Sequence, residues 1–231
     1  MTSLNFSEKT NLVCGIDEAG RGPVIGPLVL CGICFKASKL PFLKQIGVKD
    51  SKKLSPKKRS DLAELLKENC HSFEIIVISA KEIDQREQNN ITLNQLEEFK
   101  MAEIINKLQP EIVFVDAVDV NEERFGKSLK NLLQYKQIKI ISKHRADDIY
   151  PIVSAASIVA KEKRDSIIDE LKQTFGNLGS GYPSDKRTTD FIRKWVKKNK
   201  NIPYFVRTSW ETTKKIIDEE LGTRKITDYL E

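Results

Sequence analysis

The sequence predicts an α/β fold, a mixed five-stranded sheet flanked by helices with a helical extension at the C-terminus. Five short apolar runs rich in β-branched residues are each bounded by turn residues. After the first two, these runs alternate with segments of helical spacing, and towards the end of the chain only helical patterns remain.

Residues 12–16 and 28–35 form the first two runs. Between them lie Gly20, Gly22, Pro23, Gly26 and Pro27, so this stretch reads as strand, turn, strand. Ser55 followed by Pro56 starts a helix, with Leu62, Leu65 and Leu66 on its apolar face. Residues 73–78 make a third strand. Ser79 with Glu82, and Thr92 with Gln95, have capping-box spacing and open two further helices. Residues 112–115 are nearly all apolar, as suits a strand buried on both faces. Phe125, Leu129, Leu132 and Leu133 follow helical spacing, and residues 138–141 are the fifth strand. Residues 151–175 read as a long helix whose early turns are small, Ser154, Ala155, Ala156 and Ser157, so it can pack closely on a sheet. Two more amphipathic helices are expected at about 185–198 and 210–221.

A chain of 231 residues accommodates one α/β domain with an appendage, here divided as a main domain at 1–183 and a helical extension at 184–231. Hydrophobic residues at 39% and charged residues at 31% exclude a disordered or fibrous protein. No apolar run approaches the roughly 20 residues of a membrane span, and no signal pattern opens the chain, so the expectation is a cytoplasmic protein without a membrane partner. Cys31 and Cys34 have C-x-x-C spacing but lie in a strand, where residues three apart face opposite sides. With no second pair to complete a metal cage, these two are expected to be buried core thiols; Cys14 and Cys70 are the remaining cysteines. The formal charge of +6 points weakly to a polyanionic partner.

The chemistry is carried by acids. Asp17 and Glu18 sit where the first strand meets its glycine-rich turn, so at least one carboxylate should project from the sheet end. A turn-capping Asp beside a solvated Glu is the alternative. Asp116 ends the most apolar strand, with Asp119 close behind, and both also suit a turn. Asp147, beside Asp148, lies between the fifth strand and the long helix, where a helix-capping acid is equally at home. Taken together they say more, because ligand sites of open α/β sheets form near strand ends. Clustered carboxylates repel one another unless a dication neutralises them. Oxygen-only donors favour Mg²⁺ or Mn²⁺ over zinc, and two such ions roughly 4 Å apart serve attack on a phosphodiester. Beside the acids, Gly20, Arg21 and Gly22 offer backbone N–H groups and a guanidinium, in a turn that a nucleic-acid backbone can approach closely. A tight hairpin with a solvent-facing arginine is the bland alternative. No Gly-Lys-Ser or Gly-Lys-Thr follows, so the turn is not a P-loop, and the dinucleotide-binding pattern is missing too.

Five blocks then become recognisable in order: GIDEAGRGPVIGP at 15–27, DSKKL at 50–54, DAVDVNEERF at 116–125, ADDIYPIVSAASIVAKEKRD at 146–165 and GSGYPSD at 179–185. They resemble type 2 ribonucleases H, archaeal ones especially, over most of the chain up to about residue 190. The resemblance implies an RNase H-like fold and a metal-dependent endonuclease that cuts the RNA strand of RNA/DNA hybrids, including ribonucleotides embedded in duplex DNA. It implies a catalytic, metal-binding set of Asp17, Glu18, Asp116 and Asp147, with Mg²⁺ or Mn²⁺ as cofactor. It also implies that Gly20, Arg21, Gly22 and Tyr182 recognise the junction where a ribonucleotide meets DNA. Cleavage is expected on the 5′ side of the ribonucleotide, leaving 3′-hydroxyl and 5′-phosphate ends. A 2′-hydroxyl distinguishes RNA from DNA, and an aromatic ring can stack on the neighbouring sugar or base. By position in the blocks, Lys52, Lys53 and Lys161 are phosphate contacts, with a solvated lysine as the alternative for each. His144 lies near Asp147, but a metal-bound hydroxide needs no histidine base.

The tail at 223–230 resembles a sliding-clamp binding peptide, with anchors at Ile226, Tyr229 and Leu230 and Thr223 where glutamine is usual. A frayed terminal helix is the alternative. Nothing in the sequence demands more than a monomer. Two rival functions are a junction resolvase or transposase-type nuclease of the same superfold, and a non-catalytic hybrid-binding or clamp-associated module. The Gly-Arg-Gly turn with Tyr182 argues against the first, and the full set of acids against the second.

Overall fold

The computed structural model of the protein describes residues 12–48 and 54–221. Five strands form one mixed sheet: β1 (Leu12–Ala19), β2 (Leu28–Lys36), β3 (Ser72–Ile78), β4 (Ile112–Asp116) and β5 (Lys139–Lys143), in the order β3-β2-β1-β4-β5. β1 and β2 pair antiparallel, whereas β4 runs parallel to β1 and β5 parallel to β4. The expected α/β architecture is what forms. Strand β1 runs to Ala19, farther than its apolar run, because its antiparallel pairing with β2 continues through Glu18 opposite Leu30 and Ala19 opposite Val29.

Helices start where local chemistry says they should. In α2 (Pro56–Asn69), the Ser55 side chain accepts the Lys58 N–H and Pro56 fills the first turn. Reciprocal capping boxes open α3 (Ala80–Gln88) from Ser79 and Glu82, and α4 (Leu93–Leu108) from Thr92 and Gln95. Each satisfies two N–H groups that a helix start otherwise leaves without partners. The remaining helices expected from the sequence are α5 (Glu122–Leu132), α7 (Pro151–Phe175), α8 (Lys186–Asn199) and α9 (Glu211–Glu220). Two short helices, α1 (Leu40–Gln45) and α6 (Ala146–Ile149), and a 3₁₀ turn at Ala37–Lys39 were not expected. None is long enough for apolar periodicity to appear.

The chain divides into two compact units. One takes the chain up to Ala19, Val29–Val77 and Thr92–Asp165. Its core includes Val13, Ile33, Phe35, Leu66, Phe114 and Val159. Here α7 approaches β1 at van der Waals distance: a Cβ on Gly15 would overlap the Ile152 carbonyl and come within 2.8 Å of the Val153 nitrogen. The other unit takes Gly20–Leu28, Ile78–Ile91 and the chain from Ser166. Its core includes Val24, Ile25, Ile192, Val196, Phe205 and Ile216. Whereas the sequence division is a single cut at 183, the compact units alternate along the chain, because early segments are tied to late ones. Thr208 N–H, for example, donates to Asp84 across 124 positions, at 2.7 Å.

All four cysteines are free thiols; Cys14, Cys31 and Cys34 are buried and Cys70 partly so. Burial pushes the Cys14 and Cys31 thiols far up, as befits inert core groups. No helix among the described residues is long and apolar enough to cross a membrane.

Candidate active site

Three parallel strands bring the acids to one end of the sheet. Pairing of Ile16 with Val115 sets the next residues, Asp17 on β1 and Asp116 on β4, beside each other. Asp116 in turn pairs with Lys143 on β5, and three residues past that strand the chain enters the single turn of α6, which carries Asp147. The Ala146 N–H donates to Asp116 Oδ1 at 2.9 Å and so ties α6 to the end of β4. Asp17 and Asp147 are buried, at 5% and 9% exposure, and Glu18 is half-buried beside them.

The electrostatics register the crowding. Burial first, then the neighbouring Glu18, and more weakly Asp116, hold the Asp17 carboxyl well above the usual carboxylate range. A hydrogen bond from the Ser157 hydroxyl opposes that shift. The Asp116 carboxyl is also raised, chiefly by burial and further by Asp147, against the lowering effect of the Ala146 N–H. All four predicted acids are thus neighbours in one electrostatic group. They do not form a closed cage: among the described residues, no three His, Cys, Asp or Glu side chains converge tightly enough to hold a metal ion. Their chemistry nevertheless fits a hard dication. The donors are all oxygen, and two like charges 4 Å apart at an effective dielectric of 20 repel by about 4 kcal/mol, which a bound cation would relieve.

The nearby acids are otherwise engaged. Arg124 grips Asp119 through Nε at 3.0 Å and Nη2 at 2.5 Å, holding that carboxyl below its usual range. Arg145 pairs with Asp148 at 2.7 Å. His144 is exposed, with Nε2 3.1 Å from the Val120 carbonyl. Lys161, half-exposed on α7, lies 3.6 Å from Asp165, which also accepts a 2.5 Å bond from Arg59. Lys52 and Lys53 lie outside the described residues, as does the tail at 223–230. One contributor went unmarked in the sequence. Ser157 reads there as a small packing residue, and its spacing of three from Ser154, which puts both hydroxyls on one face of α7, was its only signal.

Within the second unit, Gly20 adopts φ +92°, a conformation that favours glycine, and opens the Gly20–Arg21–Gly22 turn. Tyr182 lies over this turn: a Cβ on Gly22 would sit 3.6 Å from its ring, and the ring is 43% exposed. Val24 N–H donates to the Gly181 carbonyl at 2.8 Å, joining the two loops that carry Gly22 and Tyr182.

The family model for Ribonuclease HII matches residues 14–213 of this chain. A Ribonuclease HII of Methanocella arvoryzae is 46% identical over 218 residues, 94% of this chain and 96% of that protein. The crystal structure of ribonuclease H2 from Pyrococcus horikoshii superposes with a TM-score of 0.87 at 41% identity, covering 92% of this chain and all of that one. The RNase HII of Archaeoglobus fulgidus, solved as a PCNA:RNase HII complex, gives a TM-score of 0.80 at 39% identity over 94% of this chain and 99% of that one. With the matched segment running from the first strand into the last helix, the chain belongs to the ribonuclease HII family and is an endoribonuclease.

Proposed function

We propose that this protein uses Mg²⁺ or Mn²⁺ to hydrolyse the RNA strand of RNA/DNA hybrids and to cut duplex DNA at embedded ribonucleotides. Cleavage falls on the 5′ side of the ribonucleotide and leaves 3′-hydroxyl and 5′-phosphate ends. The observation that carries this reading is the electrostatic group of Asp17, Glu18, Asp116 and Asp147 at the ends of β1, β4 and β5. These four carboxylates would hold the ions. Bound there, two divalent cations supply an activated water and charge stabilisation for the leaving oxygen.

The rest of the work falls to the chain itself. The Ser157 hydroxyl and the Ala146 N–H orient Asp17 and Asp116 and favour their ionised forms. In the Gly20–Arg21–Gly22 turn, backbone N–H groups and a guanidinium meet the ribonucleotide, and Tyr182 offers a ring to the adjoining sugar. Lys52, Lys53 and Lys161 contact phosphates of the duplex. The tail from Thr223 to Leu230 docks on a sliding clamp, a reading supported by its spaced apolar and aromatic anchors and by the PCNA complex of the Archaeoglobus fulgidus relative. The protein acts as a monomer in the cytoplasm, where its DNA substrate lies.

The test is cleavage of a labelled DNA duplex carrying one ribonucleotide, with Mg²⁺ or with chelator, by the protein and by Asp116→Asn. A Mg²⁺-dependent cut on the 5′ side, lost in the variant, is expected. If neither this duplex nor a continuous hybrid is cut with Mg²⁺ or Mn²⁺, the reading fails.

A further inference from the structure

Arg207 is fully buried and the largest such side chain among the described residues. A buried guanidinium is tolerated only when its donors are satisfied. Three N–H groups of Arg207 go to the main chain of a single loop. Nε donates to the Gly26 carbonyl at 3.0 Å, Nη1 to Arg21 at 3.0 Å and Nη2 to Gly20 at 2.6 Å. The guanidinium also lies over the Trp210 ring, 4.8 Å from its centroid, and Trp210 Nε1–H donates to the Gly22 carbonyl at 3.3 Å. Four carbonyls of the glycine-rich loop are therefore held inward.

That has a consequence for the other side of each peptide. The peptide bonds of this loop are trans, so each C=O and the following N–H point in opposite directions. With the Gly20 and Arg21 carbonyls turned towards Arg207, the N–H groups of Arg21 and Gly22 must project away from it. The peptides after Gly22 and Gly26 end in Pro23 and Pro27, which carry no N–H at all. The loop thus turns two consecutive N–H groups away from Arg207, an arrangement suited to an anion or an oxygen lone pair.

The anchor is itself braced. Asp84 accepts from the backbone N–H and the hydroxyl of both Thr208 and Ser209, over 2.6–3.0 Å. Arg86 donates to the Ser209 hydroxyl at 2.9 Å and lies over the same Trp210 ring, 5.2 Å from its centroid. Charge-assisted bonds thus fix the segment that delivers Arg207.

We infer that Arg207 is a positioning residue for ribonucleotide recognition, which by drawing the turn's carbonyls inward aims the Arg21 and Gly22 N–H groups at the sugar-phosphate of the ribonucleotide. This rests on the reading of Gly20–Arg21–Gly22 as the recognition turn. Lysine cannot substitute, because one ammonium lacks the planar fork that reaches three carbonyls at once. A merely structural arginine would affect stability and leave the choice between RNA and DNA alone.

The experiment compares equilibrium binding, in an Asp116→Asn background with Mg²⁺, to a duplex with one ribonucleotide and to the same duplex in all-DNA form. Arg207→Lys and Arg207→Met are assayed beside their parent, with melting curves to establish folding. Losing the aim of even one donor should cut the preference for the ribonucleotide duplex by about tenfold, with all-DNA binding little changed. In the otherwise native protein the same substitutions should raise KM more than they lower kcat. Arg207→Lys keeps the buried charge and so preserves the fold if Arg207→Met does not. A folded Arg207 variant with the parent's preference overturns the inference. A parent that shows no preference overturns the reading of the turn itself, and this inference falls with it.

Discussion

Gly15→Ala puts the seating of α7 on β1 to a sharp test, because the added methyl touches no carboxylate. Its Cβ would overlap the Ile152 carbonyl and come within 2.8 Å of the Val153 nitrogen, both backbone atoms of the first helical turn. Ordinary contacts begin near 3.5 Å, so α7 and β1 must separate by on the order of 1 Å. Overpacking of this kind costs roughly 3 kcal/mol, which lowers Tm by about 6–12 °C in a protein of this size. The same shift separates Ser157 on α7 from Asp17 on β1, and a misplacement of about 1 Å is enough to slow turnover by about 100-fold. Melting curves and single-turnover cleavage of a ribonucleotide-bearing duplex measure both effects. Gly126→Ala is the matched control. It sits in α5, its new methyl would meet Ser142 Cβ at an ordinary 3.6 Å, and helix propensity favours alanine there by about 1 kcal/mol. If Gly15→Ala melts and cleaves like the unmodified protein, the packing of α7 on β1 does not hold the site in register.

Asp17 carries a pH prediction. Its pKa is raised on folding, so its favourable contribution is full below the unfolded value near 3.8 and disappears as pH rises through the folded one. Metal-free protein should therefore lose stability on going up from about pH 4. Asp17→Asn should flatten that slope in urea unfolding with chelator, raise stability near neutrality and abolish cleavage; an unchanged slope would refute the assignment. Ser157→Ala removes the hydroxyl that favours ionised Asp17. It should cut kcat about tenfold at neutral pH and shift the pH–rate profile upward, whereas an unmoved profile would make Ser157 a packing residue only. Mg²⁺ at about 100 times its Kd should stabilise the protein by about 2.7 kcal/mol, seen as a rise in Tm. That rise should shrink markedly in Asp116→Asn, and its persistence there would place the ion elsewhere.

The sequence by itself determined what depends on near neighbours along the chain. The capping boxes at Ser79 and Thr92, the Ser55–Pro56 start and the apolar runs of β1, β2 and β4 are local signals, and each became the expected element. The acids of the candidate site were legible in part, because Asp17 and Asp116 adjoin strongly apolar strand runs. Choosing Asp147 over Asp148 needed the family resemblance, since the two are adjacent and chemically alike. Tertiary structure adds what separates them: Arg145 takes Asp148, as Arg124 takes Asp119, while Asp147 is buried at the end of the sheet. The placing of β4 beside β1 was not legible, because that pairing joins residues about a hundred positions apart. Ser157 and Arg207 were missed for the same reason. A serine among alanines and an arginine near a tryptophan carry no periodic signal, and their partners, Asp17 and the Gly20–Gly26 carbonyls, lie far away in the sequence. Burial and hydrogen bonding over such distances are properties of the packed chain, and only packing assigns them.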